Sequence, residues 1–384
     1  MRQALGNGRV LDDAGWRDDV VVLLDGARIE AIVPHGDPRC AGALHVDLDG
    51  GLLLPGFVDV QINGGGGALF NESPDVDTLR TIAAAHRRYG TTTLLPTLIS
   101  DDTGRIARAI AAAREAIAQG VPGIAGIHIE GPCLNEMRKG AHDAAQLRDL
   151  TPADIDLLSS LGVGRTVVTL APEMTSPATI AALVARGVRV SGGHTDATYA
   201  QLQVALRHGL SAFTHLFNAM SPLGSREPGA VGSALADPDS WCGLIVDGHH
   251  VHPVVLRLAL ACKRRERFML VTDAMPSVGS AQDHFYLQGR RIEVRDGRCL
   301  DADGVLSGSD LDMASAVRNA VDLLGLPLED AVRMASTWPA EFLGLEHDIG
   351  RIAPGLRANL VLADARLQVQ RTWIDGSAED ARHG

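Results

Sequence analysis

From about residue 56 to residue 273, short apolar and β-branched runs alternate with Ala- and Arg-rich stretches whose hydrophobic positions recur at helical spacing. The runs predict strands at Gly56–Ile62, Thr91–Leu98, Ile124–Glu130, Arg165–Ala171, Val188–His194, Ala212–Leu216, Leu244–Asp247 and Phe268–Asp273. Helices are predicted at Val76–Tyr89, Arg105–Gln119, Pro177–Arg186, Tyr199–Arg207 and Val254–Arg264, while Asn218–Asp239 reads as loop-rich. Strands that alternate with helices pair in parallel, and eight of them close most simply into an α/β fold of the (β/α)8 TIM-barrel type. An open doubly wound sheet is the rival. The Gly64–Gly67 run lacks the helix opening and the ribose-binding acid that a dinucleotide site would need.

The two ends of the chain have a different rhythm. Val20–Leu24, the turn pair Asp25-Gly26 and Ala27–Val33 form a hairpin pattern. Gly350–Ala363 and Leu367–Ile374 are short β-prone runs around Pro354-Gly355 and Asp364. The expectation is a second, small β-sandwich domain formed by both termini, residues 1–54 and 346–384, around a barrel of residues 55–345. A barrel takes roughly 250 residues, so the length of 384 leaves room for one such module. Aromatic residues make up only 4% of the chain, so Ala, Val, Leu and Ile must fill the core.

The net charge of −12 argues against nucleic acid as a partner and requires a local cluster of cations wherever an anion binds. The N-terminus lacks the apolar core of a signal peptide, and no run is long enough to span a membrane. Cys40, Cys133, Cys242, Cys262 and Cys299 are scattered and form no CxxC pair. They read as reduced, mostly buried residues of a cytoplasmic protein without a membrane partner.

The informative polar residues fall at the predicted strand ends. Glu130 ends the third strand, His194 the fifth, His215 lies at the end of the sixth and Asp273 ends the eighth. In a barrel these ends converge on one mouth, where active sites are built. Two imidazoles and a carboxylate suit a divalent ion with a position left open for water, zinc by default and iron, cobalt or manganese as alternatives. Such an ion would polarise an amide carbonyl and acidify a water, leaving Asp273 as general base. Taken singly, each residue has a blander role: a strand histidine as a hydrogen-bonder, Glu130 as an ion-pair partner, Asp273 as a helix cap. Four of them at four compatible ends make coincidence the weaker explanation. His128 lies two residues before Glu130 on the same strand face, as a ligand-orienting or core residue. Arg226 and His250 follow the sixth and seventh strands on the mouth side and could supply positive charge.

The motifs Pro55-Gly56-Phe57-Val58-Asp59-Val60-Gln61-Ile62-Asn63-Gly64, His128-Ile129-Glu130-Gly131-Pro132, Lys139-Gly140-Ala141-His142, Gly193-His194-Thr195, Thr214-His215-Leu216-Phe217-Asn218-Ala219-Met220, Asp247-Gly248-His249-His250-Val251 and Val271-Thr272-Asp273-Ala274 occur in this order. Together with Gly304-Val305-Leu306-Ser307-Gly308-Ser309 and Val317-Arg318-Asn319, the chain resembles the N-acetylglucosamine-6-phosphate deacetylase family. The resemblance runs from about residue 50 to the end of the barrel. It implies metal-dependent deacetylation of N-acetyl-D-glucosamine 6-phosphate to D-glucosamine 6-phosphate and acetate, in amino-sugar catabolism or cell-wall recycling. By position it makes Glu130, His194 and His215 the metal ligands, Asp273 the acid/base, and His142 the group that polarises the acetamide carbonyl. Substrate contacts would come from Gln61, Asn63, Asn218, Ala219, Arg226, His250 and Ser307. A homodimer is implied, with Arg226 and His250 reaching across the interface.

Many amidohydrolases carry a His-x-His pair on the first strand that serves a second metal. Here Gln61 and Asn63 stand in its place, which implies one divalent ion per subunit. Cys133 occupies a position where the family pattern has a bulkier residue, and reads as a small buried side chain. The alternatives are the galacto epimer or another N-acylated sugar phosphate, a cyclic-amide hydrolase, and a non-catalytic sugar-phosphate sensor. The cyclic-amide hydrolases typically use a carbamylated lysine, and Lys139 and Lys263, the only lysines, do not end strands. The sensor would be marked by the loss of a ligand or of the base, and all four residues are present.

Overall fold

The computed structural model describes residues 1–381. Among these, eight strands pair in parallel in chain order: Phe57–Ile62, Thr91–Ile99, Gly126–Glu130, Arg165–Leu170, Arg189–Gly192, Leu210–Phe213, Trp241–Leu244 and Phe268–Leu270, here barrel strands one to eight. Strands one and two are buried along their whole length, as parallel strands covered on both faces must be. Helices between them open on side-chain caps: Asp75 for Val76–Arg87, Asp102 for Thr103–Ala118, and capping boxes at Thr151 and Thr198. Their apolar faces lie on the strands and join one continuous core of mainly aliphatic residues.

Three expectations need correction. Strand seven is Trp241–Leu244 rather than Leu244–Asp247, because its pairing starts at Trp241 opposite Ala212 on strand six and at Cys242 opposite Phe268 on strand eight. The whole stretch from Trp241 to Val246 is buried, so hydrophobicity alone does not locate the register. Strands five, six and eight likewise stop at Gly192, Phe213 and Leu270, which leaves His194, His215 and Asp273 just beyond the last paired residue. The stretch after strand six is not all loop: Gly229–Ala236 is a helix, its Ala230 N–H held by the Ser221 hydroxyl at 2.8 Å.

Strands one and eight close the barrel without a regular ladder. The Asp273 N–H donates to the Gln61 carbonyl at 2.9 Å, and the Asn63 and Gly64 N–H groups donate to the Ala274 carbonyl at 2.9 and 3.0 Å. Beneath them the Asp59 carboxylate accepts from the Thr272 hydroxyl at 2.5 Å and from the Gln61 N–H at 3.1 Å.

The termini form two further sheets. Arg2–Gly6, Val20–Asp25, Arg28–Pro34 and Leu44–Asp47 make a four-stranded sheet. Arg9–Asp12, Gly15–Arg17 and Leu52–Pro55 combine with Leu360–Ala363, Val369–Ile374 and Ser377–Asp380 in a six-stranded one. Leu5, Val22, Leu24, Ile29, Leu53, Leu360 and Trp373 fill the space between them. The expected run from Gly350 becomes a strand only at Leu360, since Pro354 and Gly355 hold a turn before it.

One sheet was not foreseen at all. After strand eight, His284–Leu287, Arg290–Arg295, Arg298–Leu300 and Leu306–Ser309 fold antiparallel. Phe285, Leu287, Ile292 and Cys299 pack there against Leu69, Ile99 and Met275. Among the described residues, no helix is long and apolar enough to cross a membrane.

The closure has a pH signature. Burial raises the Asp59 carboxyl to about 7, against the opposing pull of the Thr272 hydroxyl and of the Gln61 and Thr272 N–H groups. The folded chain therefore binds this proton more tightly than the unfolded chain. That contribution is full below the ordinary carboxylate value of about 4 and is lost as pH rises through about 7. Asp59→Asn cannot titrate, so its Tm relative to wild type should climb steadily between about pH 4 and about pH 7. A flat difference in calorimetry over that range would refute the assignment.

Candidate active site

The C-terminal ends of the barrel strands bring Glu130, His194 and His215 to a point. Glu130 Oε1 lies 3.1 Å from His194 Nε2 and 3.0 Å from His215 Nε2, and the two Nε2 atoms are 3.1 Å apart. All three side chains are buried. His194 Nδ1 donates its proton to the Arg138 carbonyl at 2.8 Å, which turns Nε2 toward the cluster. One carboxylate oxygen and two imidazole nitrogens at mutual distances of 3.0–3.1 Å need a proton or a metal ion among them. Ligand atoms about 2.0–2.2 Å from one tetrahedral ion stand roughly 3.3 Å apart, close to the separations seen here. The donor set therefore fits a divalent ion, and the Arg138 carbonyl is the outer partner that orients one ligand.

Asp273 stands beside this cluster and is held by two amides. Its Oδ1 accepts from Asn63 Nδ2 at 2.7 Å and from Gln61 Nε2 at 3.1 Å. Gln61 and Asn63, which occupy the His-x-His positions, thus bind the carboxylate with N–H groups. Asn63 Oδ1 is buried without a protein partner. Burial first, then the charge of Glu130, raises the Asp273 carboxyl above its ordinary value and makes it a better proton acceptor.

His142 comes from the loop after strand three. Its Nδ1 accepts from the Ser100 N–H at 3.2 Å and lies 2.9 Å from the Ser100 hydroxyl. That fixes the tautomer: the proton sits on Nε2, which is 3.9 Å from Glu130 Oε2. Burial, and next the neighbouring His194, lower its pKa well below the ordinary value, so the ring is a neutral N–H donor aimed at the cluster. The rings of His142 and His194 meet edge to face with centroids 4.4 Å apart.

Asn63, Glu130, His142, His194, His215 and Asp273 line one pocket of about 440 Å³ together with Asn218, Ala219, His250 and Gly304–Leu306, while Gln61 lies behind Asp273 and off the pocket wall. His250 Nδ1 is bonded to Asp247 Oδ2 at 2.6 Å. Arg138, which the sequence did not single out, also lines the pocket and pairs with Asp196 at 2.9 Å. Two expected residues are not brought in. Arg226 is exposed on the loop after strand six, away from the pocket wall. Ser307 is fully buried with its Oγ unpartnered, although Leu306 and Gly308 on either side line the pocket. His128 does not touch the cluster; it bonds Thr169 Oγ1 at 2.7 Å and the Val60 carbonyl at 3.0 Å. Cys133 is buried, its thiol near the Met174 carbonyl at 3.3 Å.

A barrel with a carboxylate and two imidazoles converging on its mouth, beside a second carboxylate, is the arrangement of a metal-dependent amide hydrolase. Residues 52–378 match the model of the amidohydrolase family. The N-acetylgalactosamine-6-phosphate deacetylase of a Shewanella species is 46% identical over 343 residues, 88% of this chain and 86% of that one. The N-acetylglucosamine-6-phosphate deacetylase of Haemophilus influenzae is 35% identical over 379 residues, 98% of this chain and 99% of that one. The crystal structure of N-acetylglucosamine-6-phosphate deacetylase from Pasteurella multocida superposes with a TM-score of 0.96 at 35% identity, covering 99% of this chain and 100% of that one. The chain belongs to the amidohydrolase family, in its branch of amino-sugar-phosphate deacetylases.

The geometry separates ligands from neighbours. His215→Ala should weaken divalent-ion binding by more than about 100-fold, beyond the 10- to 100-fold typical of an outer partner. Asn63→Ala, which touches only Asp273, should weaken it by less than about ten-fold. Equilibrium dialysis decides, and equal losses in the two variants would remove the triad from the role of primary site.

Proposed function

We propose that this enzyme hydrolyses the acetamide of N-acetyl-D-glucosamine 6-phosphate, releasing acetate and D-glucosamine 6-phosphate. The observation that carries the reading is the convergence in one pocket of an ion-binding triad, a raised carboxyl and a neutral imidazole N–H. The pocket's size is in the range of about 300–1,000 Å³ usual for small-molecule sites. A divalent ion, zinc in our reading and one per subunit, would supply Lewis acidity for the acyl oxygen and acidify a water.

The chain's own residues do the rest. Asp273 accepts the proton of the attacking water and returns it to the leaving nitrogen, the reversal that a single carboxyl can perform. Gln61 and Asn63 hold its Oδ1, so the proton moves at Oδ2. The Nε2–H of His142 donates to the oxygen that becomes negative as the tetrahedral intermediate forms. Asn63 Oδ1, unpartnered in the protein, can accept a hydrogen bond from the substrate. Asn218, Ala219 and His250 lie on the same pocket wall and serve the sugar phosphate. An acidic protein needs local cations for that anion, and His250, Arg138 and the exposed Arg226 are the candidates. We read the protein as a cytoplasmic homodimer in which Arg226 reaches the partner's pocket while His250, expected to cross as well, lines the pocket of its own chain, with residues 55–345 as the catalytic unit. Ser307 contributes through the backbone of its strand, whose Leu306 and Gly308 line the pocket.

The galacto epimer is the second reading, favoured by the 46% identity to the Shewanella enzyme. Acetate release is to be followed from both 6-phosphates and from unphosphorylated N-acetylglucosamine, with and without chelator. Turnover confined to phosphorylated substrates and abolished by chelator is expected, and Asp273→Asn should lower kcat by at least about 100-fold. Metal analysis should give one ion per chain. Near-full turnover by Asp273→Asn, or two tightly held ions, would defeat the corresponding part of the mechanism.

A further inference from the structure

The loop that carries His142 has only two short 3-10 turns, Glu136–Arg138 and Ala144–Gln146, to give it shape. What holds it comes from the unforeseen sheet after strand eight. Leu287 pairs with Arg290, so Gln288 and Gly289 are the two residues of a hairpin turn, with φ of +49° and +77°. A two-residue turn with both φ positive strongly prefers Asn, Asp or Gly at its first position. Glutamine has no local hydrogen bond to compensate for the left-handed backbone, so its presence points to work done by its side chain.

That side chain uses both ends of its amide. Oε1 accepts from the Asp143 N–H at 3.1 Å, and Nε2 donates to the Ser100 carbonyl at 2.8 Å. Asp143 follows His142 in the chain, and Ser100 is the residue that fixes the His142 tautomer. On the other side, the Arg290 guanidinium donates to the Ala141 carbonyl. One hairpin therefore grips the backbone on both flanks of His142 and the end of strand two that orients its ring. Glutamate would set a negative oxygen against the Ser100 carbonyl. Asparagine suits the turn better but is one methylene too short to bridge the two partners.

We propose that Gln288 is a positioning residue for amide hydrolysis, tying the His142 loop to Ser100 so that the imidazole N–H meets the acyl oxygen. This rests on the reading of His142 as the oxyanion donor. A displacement of about 1 Å by a remote change can cost up to about 100-fold in rate.

The test is Gln288→Asn, compared with wild type and with both placed in a His142→Ala background. Because Asn favours the turn, Tm should not fall. Exchange of the Asp143 amide should quicken by at least about ten-fold as its bond is lost. With N-acetylglucosamine 6-phosphate, kcat should drop about 10- to 100-fold while KM stays within about three-fold. In the His142→Ala background the same change should cost nothing further, because the two residues act as one unit. Unchanged exchange at Asp143, or an equal loss of kcat with and without His142, would overturn the proposal. Wild-type protein that is inert on both epimers overturns the functional reading first, and that control is scored before any variant is compared.

Discussion

Barrel strands one and eight meet through a handful of hydrogen bonds, and the geometry of the mouth follows from where those bonds fall. Parallel ladders from strand one round to strand eight fix each strand relative to its neighbour. The seam, together with the helices Leu328–Ala335 and Thr337–Leu343 that pack against both strands, fixes the first against the last. The Gln61 carbonyl takes the Asp273 N–H, and Asp59 takes the Thr272 hydroxyl, so the backbone that presents Asp273 is bonded directly to the strand that presents Gln61 and Asn63. The amides of those two residues then find Asp273 Oδ1 within 3.1 Å. Closing the barrel and positioning the candidate base are one structural event.

A buried polar layer supports the candidate ion-binding triad from below. His128 bonds Thr169 Oγ1 at 2.7 Å, Thr169 bonds Thr214 Oγ1 at 2.6 Å, and Thr214 bonds Ser191 Oγ at 2.7 Å. These residues come from strands three to five and the segment just past strand six, beneath Glu130, His194 and His215. Burial lowers the His128 pKa to about 4, so the ring stays neutral and adds no charge under the triad. A buried polar atom without a partner is costly. A chain of hydroxyls satisfies that demand and stiffens the strand ends without placing a competing ligand near the ion site.

The sequence made some of this legible and hid the rest for physical reasons. Alternating apolar runs located the barrel strands because each is buried on both faces, and polar residues at their ends stood out against that background. Register was less legible: Trp241 to Val246 is one buried run, and only pairing to strands six and eight decides which part is strand. The sheet from His284 to Ser309 escaped notice because its strands are short, mixed in polarity and half exposed, as in Arg290–Arg295. Arg138 acts on His194 through its backbone carbonyl, a role that no residue type announces. Arg226 was legible as a loop cation, but a single chain gives it no contact with the pocket.

The mouth also shows why polar residues cluster just past the strands rather than within them. His194, His215, Phe217, Ala219 and Asp273 all have positive φ, between 32° and 82°. Within a strand, side chains alternate between the barrel interior and the helices outside, and neighbouring strands hold them about 4.8 Å apart. Glu130 reaches the cluster from the last residue of its strand, whereas His194 and His215 reach it from backbone that has turned inward just past theirs. A left-handed residue provides that turn, at a cost of order 1–3 kcal/mol for each side chain other than glycine. The chain also clears space for it: any Cβ at Gly308 would stand 2.9 Å from the Asp273 carbonyl and 2.6 Å from Met275. Two of the three candidate ligands, His194 and His215, and the candidate base Asp273 sit at strained positions, while Glu130 is still the last residue of its strand. The local conformational penalty is therefore part of how a regular barrel is made to present an irregular, convergent site.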